Sequence, residues 1–324
     1  MRDQFGRNID YLRLSITDAC DLRCEYCKPR ELCRLNRHGV TQTINADVDE
    51  LLAYAKAASE LGIRHIRLTG GEPLLYPQLD RLLSALGKVH GIDTISVTTN
   101  GTRLKEKAKI LAENHIDSIN VSLDTTDRKH YRKITGTDCL ELVKTGITEA
   151  KACGLNIKLN AVLTPETNVL SLVKYANDIQ TSVRFIEQMP VGLGQINGID
   201  PYEAVLGTLE KIYGRPVPAD DCIMGNGPAR YYAFDGLGIK VGLIRAIHGR
   251  FCDGCNRIRI TADGKLMPCL NSSEMIDVHL AYMQGQAALR DAVSKGIMQK
   301  PKGHHFTEKD RDIKAYRTMD QIGG

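Results

Sequence analysis

Tryptophan is absent from this chain of 324 residues, and phenylalanine occurs only five times. With aromatics at 5%, little is available to build a stacking platform for single-stranded nucleic acid. Charge of one sign is also scarce. The net charge is +4, and basic residues interleave with acids, as in the stretch EKAKILAENH, so most read as solvated helix faces. These two absences argue against a nucleic-acid partner. No apolar run is long enough to span a membrane. The opening residues MRDQFGRNID are polar and lack the apolar core of a secretion signal. The chain is therefore expected in the reducing cytoplasm, with no membrane partner. No internal repeat or low-complexity segment stands out.

What is present is an ordinary globular balance, 42% hydrophobic and 25% charged, with enough length for a large core. Cysteine is the unusual component. In a reducing compartment, clustered cysteines point to metal or catalysis before disulfides. Cys20, Cys24 and Cys27 follow a C-x3-C-x2-C spacing directly after an expected first strand. Three thiolates can hold three corners of a 4Fe–4S cube and leave its fourth iron open to a small molecule. Cys252, Cys255 and Cys269 form a second trio, C-x2-C-x13-C, again without an obvious fourth thiol. Zinc competes at both places because it takes four Cys or His ligands. His248 could complete a Cys3His site at the second trio. At the first, His38, Asp18 and Asp21 are weaker candidates. Of the remaining cysteines, Cys139 and Cys153 read as packing residues beside a helix. Cys33 is a spare ligand at most, and Cys222 carries no reading.

Up to about residue 190 the pattern alternates strand and helix, which favours a parallel sheet. Strands are expected at 12–17, 63–69, 92–98, 118–123, 156–163 and 182–186. The clearest helix runs from Asp47 to Leu61, with Asp47 and Glu50 as a capping pair and Gly62 as a C-terminal cap. The expected fold class is α/β, an incomplete (β/α)6 TIM-like barrel, with an open doubly wound sheet as the alternative. Residues 1–190 read as the partial barrel and 191–324 as a C-terminal region. In the latter, Asp263-Gly264 predicts a hairpin between 257–261 and 266–270. A helix is expected over 279–299, then an extended tail. Polar loops gather at the expected C-terminal ends of the strands: the first trio, Gly70-Gly71-Glu72-Pro73, Thr98-Thr99-Asn100-Gly101, Ser122-Leu123-Asp124 and Met189-Pro190. Each alone is ordinary turn chemistry. Their shared position suggests a site, since barrels carry their chemistry at that rim.

These residues resemble the radical S-adenosylmethionine (SAM) enzymes, through the first trio with Tyr26 before its last cysteine and through GGEP. The segments FCDGCNRIRITADGKLMPCL, GNGPARYY and the terminal Gly323-Gly324 resemble, more narrowly, the GTP 3′,8-cyclase family of molybdenum cofactor biosynthesis. The resemblance implies two 4Fe–4S clusters, one on Cys20, Cys24 and Cys27, the other on Cys252, Cys255 and Cys269. It implies SAM contacts at Tyr26, Gly71, Ser122 and Met189. It implies GTP contacts at Arg13, Arg67, Thr98, Lys158, Arg257, Ile258 and Arg259. The activity it implies is that of a lyase. A 5′-deoxyadenosyl radical takes the ribose 3′-hydrogen of GTP, and C3′ then joins C8 to give (8S)-3′,8-cyclo-7,8-dihydroguanosine 5′-triphosphate. The family fold is a partial barrel closed by the C-terminal region, whose tail, Gly323 and Gly324, enters the active site. An external electron donor and hand-over of product to cyclic pyranopterin monophosphate synthase complete the implied partners. A homodimer is left open.

The arginine pattern agrees with an anionic substrate. In the strand RIRI, period-two alternation puts Arg257 and Arg259 on one face and Ile258 and Ile260 on the other. Guanidinium groups suit phosphate. Three positions depart from the family habit: Lys28, Arg250 and Asp320. Two rivals remain at this point. One is a peptide-modifying radical SAM enzyme, which would carry more C-terminal cysteines. The other is a zinc-stabilised RNA- or partner-binding protein.

Overall fold

The computed structural model describes residues 1–27, 43–191, 193–219, 226–306 and 318–323. Lys28, Cys33, His38, Cys222 and Gly324 lie outside the described residues. Six parallel strands form the centre: β1 (Tyr11–Ser15), β2 (His65–Thr69), β3 (Thr94–Thr99), β4 (Ser118–Ser122), β5 (Ile157–Leu163) and β6 (Val183–Glu187). They pair in chain order. Helices α1 (Val48–Glu60), α2 (Leu79–Leu86), α3 (Leu104–Glu113), α4 (Arg128–Thr135), α5 (Leu140–Ala152) and α6 (Val169–Asp178) fill the crossovers.

The residues on either side of position 190 share one sheet. A short helix α7 (Gly207–Tyr213) precedes β7 (Val217–Pro218), β8 (Arg230–Ala233) and β9 (Val241–Ile244). Strand β9 extends the sheet in parallel beyond β6, and β8 and β7 follow it antiparallel. At the other edge β10 (Arg257–Ile260) runs parallel to β1, and β11 (Lys265–Met267) and β12 (Ile276–Asp277) continue antiparallel. The sheet thus has twelve strands, and no pairing joins β12 to β7 among the described residues. The expected partial barrel is present. Its C-terminal strands widen both edges without a hydrogen-bonded seam.

Alternation along the central strands is strict, and it positions the site. Leu12, Leu14, Ile66, Leu68, Val97, Ile119, Val121, Leu159, Val183, Ile258 and Ile260 are all fully buried against the helices. The intervening residues face the concave side: Arg13, Arg67, Ser96, Asn120, Lys158, Arg184 and Arg259. Parallel strands covered on both faces normally read as unbroken apolar runs. A polar inner face on a parallel sheet means that something other than side chains fills the interior.

Local details differ from the sequence expectation in three places. Asp47 caps α1 by accepting from the Asp49 and Glu50 amides. Glu50, however, turns to Tyr54 and to His279 Nδ1 at 2.8 Å instead of back to the cap. The helix expected over 279–299 is two helices, α8 (Val278–Met283) and α9 (Gln286–Met298), separated at Gly285, whose φ of 108° cannot continue a helix. The tail is not fully extended. Met319–Ile322 forms one turn, α10, with the Gln321 carboxamide accepting from the Thr318 amide at 3.1 Å.

Candidate active site

Both cysteine trios line a single cavity of about 740 Å³ on the concave face. Its walls include every polar loop at the C-terminal strand ends singled out above. Two halves can be distinguished by their charge.

The first half surrounds Cys20, Cys24 and Cys27. The loop that carries them is tied to the end of β2 through Gly71 N to Thr17 O (2.8 Å) and Glu72 N to Ala19 O (2.6 Å). Gly71 is required by space. A Cβ there would lie 2.3 Å from Ala19 O and 2.5 Å from Asp18 O. Asn100 Nδ2 donates to Asp21 Oδ1 at 2.8 Å, and Thr102 Oγ1 to Asp21 Oδ2 at 2.7 Å, which fixes the loop from β3. Tyr26 donates its hydroxyl to Asp124 Oδ2 at 2.6 Å, and the Val162 amide donates to Asp124 Oδ1 at 2.8 Å. Burial raises the Asp124 carboxyl and pushes the Tyr26 phenol well up, so the proton rests on the tyrosine. Glu72 is wholly buried and takes hydrogen bonds from Thr99 Oγ1 and from the Asn100 and Leu74 amides; burial lifts it to about 7. Burial also pushes Cys20 up to about 12. Tyr26, Gly71, Ser122 and Met189 all line this half.

The second half is cationic. Arg259, Arg13 and Arg67 stand in one row, because Arg13 is in register with Arg259 on one side and with Arg67 on the other. Arg67 bonds Tyr11 and Thr98, and Arg257 lies over the Phe251 ring at 5.0 Å. Lys158, in register with Asn120, extends the basic wall. Burial, and then Arg259, drives Arg13 well below the usual guanidinium range. Burial and Arg257 bring Arg259 down to about 10. Burial, with Arg184 and Arg67, brings Lys158 down to about 8. Like charges are crowded here at a real energetic cost. Ile258 does not join them. Its side chain is fully buried on the opposite face of β10, so only its backbone is available to a ligand.

The tail reaches this half. The Gly323 carbonyl accepts from Arg13 Nη2 at 3.3 Å and Arg259 Nη1 at 3.4 Å. With φ at 78° and a Cβ position 2.6 Å from Thr69 Oγ1, only glycine fits there. The Met319 amide donates to Cys27 O at 3.3 Å, so the same short tail touches both halves. Asp320 is buried on the cavity wall, and Arg250 is exposed.

The thiols fit iron–sulfur clusters better than zinc. All six are half-buried, none forms a disulfide, and all line the cavity. Among the described residues, no three Cys, His, Asp or Glu side chains converge on one ion, as zinc requires. A cube asks instead for one thiolate at each of three separate corners. His248 joins no such convergent group, and its Nδ1 is bonded to Glu187. At the second trio, burial works to raise Cys255, yet Arg257 and Lys300 outweigh it and bring the thiol down to about 7.

Several residues on or behind the cavity wall were not expected from the sequence. Arg184 is 6% exposed, donates to Asn160 Oδ1 at 2.8 Å, and faces the cavity beside Lys158. Its signal was available, an arginine inside the apolar strand VRFIE. Lys300 and Arg7 had none, because only the tertiary fold brings them to the second trio.

Residues 14–179 match the Radical SAM superfamily, and residues 181–306 match the family Molybdenum Cofactor Synthesis C. Proteins named GTP 3′,8-cyclase are similar over the whole chain. That of Clostridium perfringens (strain 13 / Type A) is 35% identical with 100% of each chain covered, and that of Moorella thermoacetica is 37% identical with the same coverage. The Erythrobacter litoralis protein is 36% identical over 99% of this chain and 98% of its own.

The chain belongs to the GTP 3′,8-cyclase family of radical SAM enzymes.

Solved structures support the architecture of this GTP 3′,8-cyclase family member at lower identity. Native anSMEcpe with bound AdoMet has a TM-score of 0.60 at 17% identity, covering 97% of this chain and 88% of that one. Streptococcus suis SuiB bound to S-adenosylmethionine has a TM-score of 0.62 at 16% identity, covering 83% and 63%. Within this fold the Gly71 contact is the tightest structural requirement of the first half. Gly71→Ala is expected to displace the Cys20 loop. Anaerobic reconstitution should then give about four irons in place of about eight, since only the second trio stays intact. Full loading would show that the loop tolerates the added methyl group.

Proposed function

We propose that this chain converts GTP to (8S)-3′,8-cyclo-7,8-dihydroguanosine 5′-triphosphate, the first step of molybdenum cofactor biosynthesis. The observation that carries the reading is the sharing of one cavity by two cysteine trios, with a row of arginines between them. Cys20, Cys24 and Cys27 would hold one 4Fe–4S cluster, and Cys252, Cys255 and Cys269 the other. If bound there, the first cluster with SAM would supply a reductively generated carbon radical, and the second cluster would supply a further Lewis-acidic iron site.

The chain's own residues bind, orient and shield. Tyr26, Gly71, Ser122 and Met189 surround SAM, and the Tyr26–Asp124 bond holds the Tyr26 ring and its loop in place. Arg13, Arg67, Lys158, Arg184, Arg257 and Arg259 receive the triphosphate, with Thr98 at the edge of the group and Ile258 through its backbone. An anion among these cations relieves their mutual repulsion, so charge that destabilises the empty site favours the filled one. A fixed triphosphate holds the ribose and base in one orientation, which matters because a primary radical attacks the nearest hydrogen. The cavity also excludes water from that step. Gly323 closes the arginine side. The enzyme acts in the cytoplasm, draws electrons from an external donor and passes its product to cyclic pyranopterin monophosphate synthase.

Incubation with SAM, reductant and GTP tests the reading. Release of 5′-deoxyadenosine should depend on GTP, and equal release without GTP would contradict the substrate. Arg257→Ala or Arg259→Ala should weaken GTP binding by roughly 10- to 100-fold, the worth of one charge-assisted contact of about 1.5–3 kcal/mol. SAM cleavage at saturating GTP should fall much less, and equal loss of both would argue against the assignment. Binding should also depend on pH. Lys158 attracts phosphate only while protonated, and burial holds it at about 8. GTP affinity should therefore fall as pH rises from 8 to 9, by up to about tenfold for one proton. Lys158→Arg should flatten that dependence, and an unchanged slope in this variant would remove Lys158 from the phosphate site.

A further inference from the structure

Two buried cations meet the second trio, and they differ in one respect. Arg7 is 8% exposed and Lys300 is 2% exposed. Arg7 donates to Cys252 O at 2.9 Å, to Lys302 O at 2.9 Å and to Pro301 O at 2.6 Å. Its charge is met by Asp3, with Nε to Oδ2 at 2.6 Å and both side chains buried. Lys300 donates Nζ to Arg257 O at 2.7 Å and to Pro268 O at 2.9 Å. Both of these acceptors are neutral carbonyls. No ion pair among the described residues includes Lys300.

The two carbonyls are not arbitrary. Arg257 lies two residues after Cys255, and Pro268 directly precedes Cys269. One ammonium therefore bridges the start of β10 and the end of β11, the two segments that bring these thiols to the cavity. Next to it, Gly303 packs close to the Cys252 sulfur; a Cβ there would lie 3.7 Å from Sγ. A buried ammonium whose two oxygen partners are neutral carbonyls, with only the Cys255 thiol beside them, is costly, because these contacts do not replace its hydration. The cost falls when an anion lies alongside, and three thiolates around an iron–sulfur cube are such an anion.

We propose that Lys300 is the counter-charge of the second cluster, a positioning residue that joins the Cys255 and Cys269 segments and raises the cluster's reduction potential. The inference rests on reading Cys252, Cys255 and Cys269 as a cluster site. Net charge and hydrogen bonds near the sulfurs are among the determinants of such potentials. A cation a few ångströms away favours the reduced, more negative state. Arg7 contributes less to the potential because Asp3 cancels its charge. Its role is to hold the Cys252 loop.

The test uses the full-length protein carrying Cys24→Ala, so that one cluster gives the signal. Lys300→Gln and Lys300→Arg are compared with this parent by iron analysis and by potentiometric titration followed by electron paramagnetic resonance. The parent should hold about four irons. Lys300→Gln should load its cluster and be at least tenfold harder to reduce, about 59 mV for one electron. Lys300→Arg should stay within threefold of the parent. A loaded Lys300→Gln cluster within threefold of the parent overturns the proposal. Should Lys300→Gln fail to load, loading by Lys300→Arg supports the role of the charge, and failure of both overturns it. A parent without iron would instead bring down the cluster reading of the second trio, and the proposal with it.

Discussion

Like charge packed inside a parallel sheet is the constraint on which the rest of this structure depends. Arg259, Arg13 and Arg67 stand side by side across three hydrogen-bonded strands, with Arg257, Lys158 and Arg184 around them. Hydrophobic packing of the opposite face against the helices holds the strands in that register. A one-residue slip would turn the arginines into the core and the leucines into the cavity. The core therefore does more than stabilise. It forces cations together that would otherwise separate, and burial first, then the neighbouring cations, lowers the pKa of Arg13, Arg259 and Lys158. An anionic ligand is the natural relief.

The chamber is organised around this cationic wall. The acidic and hydroxyl groups cluster at the first trio, where Asp21, Glu72 and Asp124 each satisfy backbone or side-chain donors of neighbouring loops. These bonds fix the loops by which β1, β3 and β4 end, so the first trio is held through carboxylates. The second trio is held differently. Its thiols come from the loop before β10 and from the end of β11, and buried cations from near the N-terminus and just after α9 bond the backbone around them. The tail spans the difference, touching Cys27 with the Met319 amide and two arginines with the Gly323 carbonyl. A chain end placed there makes the two halves a single unit.

Much of this was legible in the sequence. Period-two alternation in RIRI gave the facing of Arg257 and Arg259, and Asp263-Gly264 gave the β10–β11 hairpin. Turn chemistry placed the polar loops at strand ends, and the structure gathers them at one rim. Adjacency of Arg13 with Arg259 was not legible, because it depends on β10 pairing in parallel with β1 across more than two hundred residues, and no local pattern encodes strand order. Arg184 carried the same sign as Arg13, a guanidinium in an apolar strand, and could have been found by applying that rule evenly. The break between α8 and α9 was readable from Gly285. The Lys300 and Arg7 contacts were not, since a lone lysine after a helix and an arginine near the N-terminus look like solvated charges until the fold buries them.

The central claim is that two cuboidal clusters, each bound by three cysteines, face one another across a single cavity. Anaerobic crystals of the reconstituted protein with SAM and GTP test it most directly through iron anomalous scattering. The account predicts two four-iron peaks lining one chamber, one bonded to Cys20, Cys24 and Cys27 and the other to Cys252, Cys255 and Cys269, each with an iron that no protein atom touches. A fourth protein ligand on either cluster, or zinc in place of iron at the second, would contradict it.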